Sequence, residues 1–325
     1  MKGKLSIRRM GLQGFSLFFP IATLLSLFPP SHPVFLWWEA QATLFMLLLL
    51  GLGMLCFFLN FRHMMIVSLA CCGLICFTIH ERTESSFRQL AWEKDEPDIT
   101  AAHFRVPVDT HDRQFLLTRI KQLDPDLLSL QASSLEALSA MEQPLKQYGF
   151  LYSKHHPATA DHDGLAVFSH HPFELALPTK AYQDQGITGR IELPDRLSYP
   201  QLQFATAVPG HPAFSNLSLE FLATYLQGLR VPTLALGDFS CVPWSLGLSH
   251  FKQVSAMKDS HRILDAASIG EYVGLSSKPT FHIFHSAHLQ CTDFQLIRDE
   301  DQKMLGISGT YRLAAKADQH VSQTN

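Results

Sequence analysis

Apolar residues are spread unevenly along this chain. Three long uncharged runs precede residue 80; beyond it, apolar and polar positions interleave in short segments. A helix needs about 20 apolar residues to cross a bilayer, and about 17 suffice when flanking residues reach the interface. The run 40–59, containing LFMLLLLGLGMLCFFL, meets that length most clearly. The runs 11–28, interrupted by Pro20, and 64–79 lie close to the limit. The first run has the basic start of a cleaved signal peptide, but PPSHP after it is not a small-residue cleavage site. The pattern therefore predicts about three retained transmembrane helices, with Trp37 and Trp38 at an interface before the second.

The positions of Lys and Arg set a direction. Lys2, Lys4, Arg8 and Arg9 precede the first run, and the loop from Pro29 to Glu39 has neither residue type. Arg62 follows the second run, while Arg82 and Arg88 beyond the third oppose the bias. The expected arrangement is a cytoplasmic N-terminus at 1–10, three crossings and a soluble domain on the far side. In a bacterium that is a multi-pass inner-membrane protein with a periplasmic domain. Residues 81–97 are polar and read as a linker, 98–314 as the domain, and 315–325 as a tail.

Within the domain the periodicity alternates. RQFLLTRIKQL places Phe115, Leu116, Ile120 and Leu123 on one helical side. A short buried strand follows at Leu127–Leu130, then a helix ending near Gly149 and a strand at Gly164–Ser169. QLQFATAV alternates as a strand, NLSLEFLATYLQGL is a helix, and VPTLALGDF is a fully buried strand. That order predicts an α/β sandwich with helices outside.

Composition narrows the chemistry. From Asp98 onward there are 18 Lys and Arg against 23 Asp and Glu, a net charge of −5. A domain of that sign lacks the basic footprint of a protein that tracks nucleic-acid backbones. Of the six cysteines, only Cys241 and Cys291 lie in the domain, and no CxxC or Cys/His zinc spacing is present. A disulfide between them is open in an oxidising compartment. Histidines form two clusters: His155, His156, His162, His170 and His171 with Asp161 and Asp163, and His282, His285 and His288 with Cys291. Such groups can hold Zn²⁺ or Cu²⁺, or can be ordinary rim histidines. On one strand, His282 and His288 would share a face and His285 the other.

The segments DPDLLSLQ, GLAVFSHHP, PGHP, LALGDFSCVPWS and PTFHIFHS, in that order, resemble the endonuclease/exonuclease/phosphatase superfamily, especially its membrane-anchored bacterial members. The resemblance implies a four-layer sandwich of two mixed β-sheets flanked by helices. It also implies phosphoester cleavage with a divalent metal, Mg²⁺ or Mn²⁺. Set against the family pattern, the metal-binding Glu is replaced by Ala132, beside Gln131, which is expected to point to the opposite face. An expected Asn is missing from ITAAHFRVPVD, where Arg105 would put a fixed cation in the metal's place. His211 matches the catalytic His of the middle region. Asp238 of GDFS is retained as a weak metal ligand, and Ser240 replaces a phosphate-contacting Asn. Phe281 stands where a carboxylate belongs, with His282 retained, and Ser308-Gly309-Thr310 replaces a terminal Ser-Asp-His.

Groups that act as a unit lose most of their effect when any one is removed. The expectation is thus a catalytically degenerate protein that acts by binding or scaffolding. It would be anchored in lipid, with an envelope protein as possible partner and nucleic acid disfavoured. The alternative is an active metal-dependent phosphoesterase whose carboxylates come from elsewhere, such as Asp161 or Asp163. For Asp238 the competing role is a strand-end residue that caps the following loop, and for Trp244 it is core packing.

Overall fold

A computed structural model describes residues 18–30, 33–83, 99–158, 163–176, 186–193, 201–207, 215–261, 280–301 and 303–313. His211, Asp161 and His162, all singled out above, lie outside them. The chain forms two compact units, one of which gathers the helices before residue 84 with Cys241–Ser249.

In that unit the described helices are α1 (Phe18–Leu27), α2 (Pro33–Ala40), α3 (Ala42–Phe58) and α4 (Arg62–Thr83). α3 stops where Asn60 takes a positive φ of 62°. Ser68 Oγ donates to the Leu49 carbonyl at 2.6 Å, tying α4 to α3. Among the described residues, only α4 qualifies by length and composition as a membrane-crossing helix; α1 and α3 are shorter. This reverses the ranking of the runs read from sequence. The run at 64–79 becomes the longest helix because its backbone hydrogen bonding continues through the polar residues His80–Thr83. The run at 40–59 forms a helix of only 17 residues.

Cys241–Ser249 belongs to the same unit. Val242 and Trp244 are buried in an apolar cluster with Phe19, Leu49 and Ile75. Trp244 Nε1 donates to the Glu39 carbonyl at 3.0 Å, and Arg82 donates to the Trp244 carbonyl at 3.2 Å. Trp244 is thus core packing, as expected, but among the helices. Glu39 Oε1 accepts from the Leu246 N–H at 2.8 Å, and burial pushes its carboxyl up to about 7.

The second unit is the α/β sandwich. Its strands are β1 (Ile99–Arg105), β2 (Leu127–Ala132), β3 (Tyr152–His156), β4 (Gly164–Ser169), β5 (Phe173–Leu175), β6 (Gly186–Glu192), β7 (Gln201–Ala207), β8 (Thr233–Asp238), β9 (Lys258–Asp259), β10 (Phe281–His285), β11 (Leu289–Arg298) and β12 (Met304–Leu313). One six-stranded sheet runs β11-β12-β1-β2-β4-β3 and the other β5-β6-β7-β8-β10-β9. Both are mixed, since β1–β2 and β7–β8 are parallel within otherwise antiparallel ladders. Ile99, Leu127, Leu165, Phe204, Leu234, Leu236 and Ile283 meet in one core between the sheets.

α5 (Thr110–Leu123) and α6 (Leu135–Gln147) cover the outer face of the first sheet through Leu116, Ile120, Leu138 and Met141. Both start on side-chain caps that satisfy orphan N–H groups: Asp109 accepts from His111 and Ser134 from Ala137. α7 (Ser215–Gln227) joins β7 to β8. α8 (Leu246–Ser255) brings Phe251 against Phe239 and Phe284 at ring distances of 5.9 and 4.9 Å. The expected fold, two mixed sheets with flanking helices, is the observed one.

Candidate functional site

Four polar side chains converge where strands of both sheets end. β1 ends in Arg105, which pairs in register with Gln131 on β2. β8 ends in Asp238, and Asp163 immediately precedes β4. Arg105 Nη2 donates to Asp238 Oδ2 at 2.9 Å and lies 3.7 Å from Asp163 Oδ2. Gln131 Nε2 donates to that same Asp163 oxygen at 2.8 Å.

The Asp238 carboxylate is fully engaged. Its Oδ1 accepts from the Ser240 N–H at 2.8 Å, and the Thr280 side chain also bonds it. Burial pushes its pKa up, against the pull of Arg105, Ser240, Thr280 and His282. The Ser240 bond is the loop-capping role, and it holds Ser240 at a φ of 50°, a region most side chains avoid. The Arg105 side chain is 52% exposed, against 7% for that of Asp238. Its guanidinium lies 5.8 Å from the Phe281 ring centre.

Behind this rim lies His103, fully buried, with Nδ1 3.0 Å from Ser129 Oγ. Burial, with the Arg105 charge, lowers its pKa to about 3, so the ring is neutral at ordinary pH. Gln131 pulls that pKa back upward, yet neither His103 Nε2 nor Gln131 Oε1 completes a hydrogen bond of ordinary geometry.

The two strand-end residues read from sequence, Asp238 and His282, do not come together. In the antiparallel register Asp238 faces Phe281, and His282 faces Gly237. Residues directly opposite share a face and neighbours alternate. Asp238 therefore lies with Leu236 and Phe281 on the inter-sheet side, whereas His282 stacks on Phe284 with ring centres 5.4 Å apart. His282 Nδ1 is 3.0 Å from Asp259 Oδ2, and Asp259 Oδ1 accepts from the His261 N–H at 3.0 Å. Burial alone would raise Asp259, but the two histidines and these bonds bring its pKa below the usual value. His282 is fully buried and acts there as an internal partner of Asp259.

Other expectations change as well. Gln131, not the residue at 132, faces the site: Ala132 packs with Leu130 and Leu138 under α6. Parallel pairing with Arg105 fixes that facing. Tyr311 fills the space at the terminal position, since a side chain at Gly309 would collide with the Tyr311 hydroxyl and ring. Tyr311 is buried and donates to Ser260 Oγ at 2.9 Å.

Among the described residues the histidine clusters disperse. His170 stacks on Phe150 and approaches Asp124 at 3.0 Å, whereas His171 lies 3.7 Å from Asp126. His288 is in the turn after β10, so it shares no strand face with His282. No disulfide joins Cys241 and Cys291. Sequence reasoning named Asp163 only as a replacement carboxylate and missed Asp259 as the partner of His282. The spacing of Lys258-Asp259-Ser260-His261 carried no signal of it.

These residues do not fit a hard divalent ion. Mg²⁺ takes oxygen ligands in near-octahedral geometry and relies on carboxylates. Arg105 and Ser240 hold the Asp238 oxygens, Ala132 supplies none, and Asp163 is held by Gln131 beside the guanidinium. Among the described residues no group of three or more His, Cys, Asp or Glu is placed to hold a metal ion.

Solved structures share this fold. An endonuclease/exonuclease/phosphatase from Beutenbergia cavernae aligns with TM-score 0.50 and 14% identity, over 68% of this chain and 72% of its own. The human Nocturnin catalytic domain, with bound sulfate, aligns with TM-score 0.50 and 18% identity over 67% and 96%. An AP endonuclease from Archaeoglobus fulgidus aligns with TM-score 0.50 and 13% identity over 67% and 100%. No curated protein matches the chain in sequence. The family model for Endonuclease/Exonuclease/phosphatase matches residues 107–300, well over half the chain, and the chain belongs to that family.

Proposed function

We propose that this protein is a membrane-anchored, bacterial member of the family whose site no longer hydrolyses phosphoesters, and that it acts by binding. In this reading the helices before residue 84 hold it in the inner membrane. The sandwich faces the periplasm, where it engages an envelope protein. One observation carries the reading: the surviving carboxylate, Asp238, is bonded to Arg105 at 2.9 Å. Metal-dependent hydrolysis needs that carboxylate for an ion that polarises the phosphate and prepares the water. A guanidinium supplies fixed charge but cannot lower the pKa of a bound water as a metal does. Ala132 and Gly309 remove further groups from the reacting constellation.

The test uses the full chain in detergent micelles with an aryl phosphodiester, with Mg²⁺ or Mn²⁺, beside Asp238→Ala. The expected result is no turnover above that variant. Metal-dependent turnover that Asp238→Ala abolishes would establish the active reading instead, with Asp163 the first candidate for a replacement ligand. The membrane side is read by a reporter fused after residue 325, expected to be active only outside the cytoplasm.

A further inference from the structure

We propose that Glu39 is a proton-governed clamp on the Pro243-Trp244-Ser245 segment. Neutral Glu39 holds that segment against the helices before residue 84, and ionised Glu39 loosens it. The inference gives a role to a motif that phosphoester chemistry leaves unused, and it stands whether or not the sandwich site hydrolyses anything.

The segment is gripped at three points. The Glu39 main-chain carbonyl accepts from Trp244 Nε1 at 3.0 Å, and Glu39 Oε1 accepts from the Leu246 N–H at 2.8 Å. Arg82 Nη1 donates to the Trp244 carbonyl at 3.2 Å, while its Nη2 holds the Leu27 carbonyl at 2.8 Å. Leu246 is the first residue of α8, so the side chain of Glu39 satisfies a helix-end N–H from a distant part of the chain. Cys241–Ser249 and the helices before residue 84 belong to one compact unit, so all of these bonds lie within it.

The same geometry makes the grip sensitive to protons. The Glu39 side chain is 4% exposed, and Arg82 Nη1 stands 3.8 Å from Oε1, beyond hydrogen-bond reach. A buried carboxylate with so little compensation favours its neutral form. Burial outweighs the Leu246 bond and the Arg82 charge, and the carboxyl is pushed up to about 7 from an ordinary 4.5. The docked segment provides part of that burial. Docking therefore binds the proton more tightly, is strongest in acid, and weakens as pH rises through about 7. Protonation removes the buried charge and leaves a carbonyl oxygen to accept from Leu246. Neighbouring charges are few among the described residues. α1, α3 and Cys241–Ser249 carry none, and Glu39 is the only one on α2. The last turn of α4 holds His80, Glu81 and Arg82, of which Arg82 acts on Glu39 and Glu81 acts on Arg82. Further along α8 are His250 and Lys252, and Lys252 feels Asp259.

The test is hydrogen–deuterium exchange of the full chain in detergent micelles at pH 6, 7 and 8. Each rate is divided by the intrinsic rate at that pH, which gives the protection of each segment. In wild type, protection of Cys241–Ser249 is expected to fall about tenfold from pH 6 to pH 8, while that of Thr233–Asp238 holds. Glu39→Gln, which keeps an oxygen acceptor and carries no charge, is expected to stay protected at both. A flat wild-type profile overturns the proposal, as does a fall in Glu39→Gln equal to that of wild type. If Glu39→Gln does not fold, Glu39→Leu replaces it: lower protection with a flat profile supports the clamp, and a tenfold fall overturns it.

Discussion

Asp238 and His282 lie one rung apart on the same strand pair and belong to opposite kinds of site. Asp238 faces the space between the sheets and meets a half-exposed guanidinium at a rim. His282 faces the other side, where it is fully buried, and meets Asp259, which is as buried as Asp238, so this pair lacks the half-exposed partner of the rim. The alternation of a strand is the whole difference in direction. Burial then decides what each pair can do. The rim pair can exchange partners with solvent and ligands, while the sealed pair can only hold the core.

That contrast predicts unequal effects. The largest follows from His282→Ala, which leaves the Asp259 carboxylate buried without its imidazole. Stripping one partner from a buried pair costs about 3–5 kcal/mol. The urea midpoint of the sandwich should fall sharply; a loss below about 1 kcal/mol would erase the distinction.

Acid should separate the regions next. Burial lowers His103 to about 3 and His261 and His285 to about 4. Below the unfolded value near 6.5, the unfolded chain takes up protons that the folded chain refuses. Stability therefore falls as pH drops from 6.5 toward 4, by up to about 1.4 kcal/mol per unit for each histidine. Asp238, whose pKa burial raises, has the opposite sign, since protonation relieves its buried charge. Urea midpoints at pH 7 and pH 5 test this: a clear drop in wild type is expected, and His103→Gln should lessen it.

Asp238→Asn comes third. It removes an ion pair whose cation is half in water, and it also removes a buried charge. The net change should stay within about 1 kcal/mol, read from the same midpoints. A loss like that of His282→Ala would mean the rim is as structural as the sealed pair. The smallest effect is a gain. Ser240→Gly removes the cost of a positive φ on a side-chain-bearing residue and should stabilise by less than about 1 kcal/mol. A loss would show that the Ser240 side chain matters to the rim.

Much of the sandwich is legible in sequence because local signals agree there. β2, β4, β7 and β8 are apolar runs or alternations bounded by breakers, and α5 and α6 carry Asp109 and Ser134 as caps. β3 was not legible, because Tyr-Ser-Lys-His-His at a sheet edge has no apolar periodicity. β12 was hidden too: Gly306 and Gly309 weaken its pattern, and both are needed because His103, Phe104 and Tyr311 press against them.

The sequence by itself determined the apolar helical start and the α/β order. Set against the family pattern, it also raised the expectation that Arg105 takes the metal's place, since these are matters of residue type and local period. Tertiary structure decided which residues meet. It turned Gln131 toward the site and Ala132 away through strand register, sent Asp238 and His282 to opposite faces, and supplied Asp163 and Asp259 from loops and edges distant in sequence. Such pairings follow from the stacking of two sheets, a long-range packing outcome that no local pattern encodes.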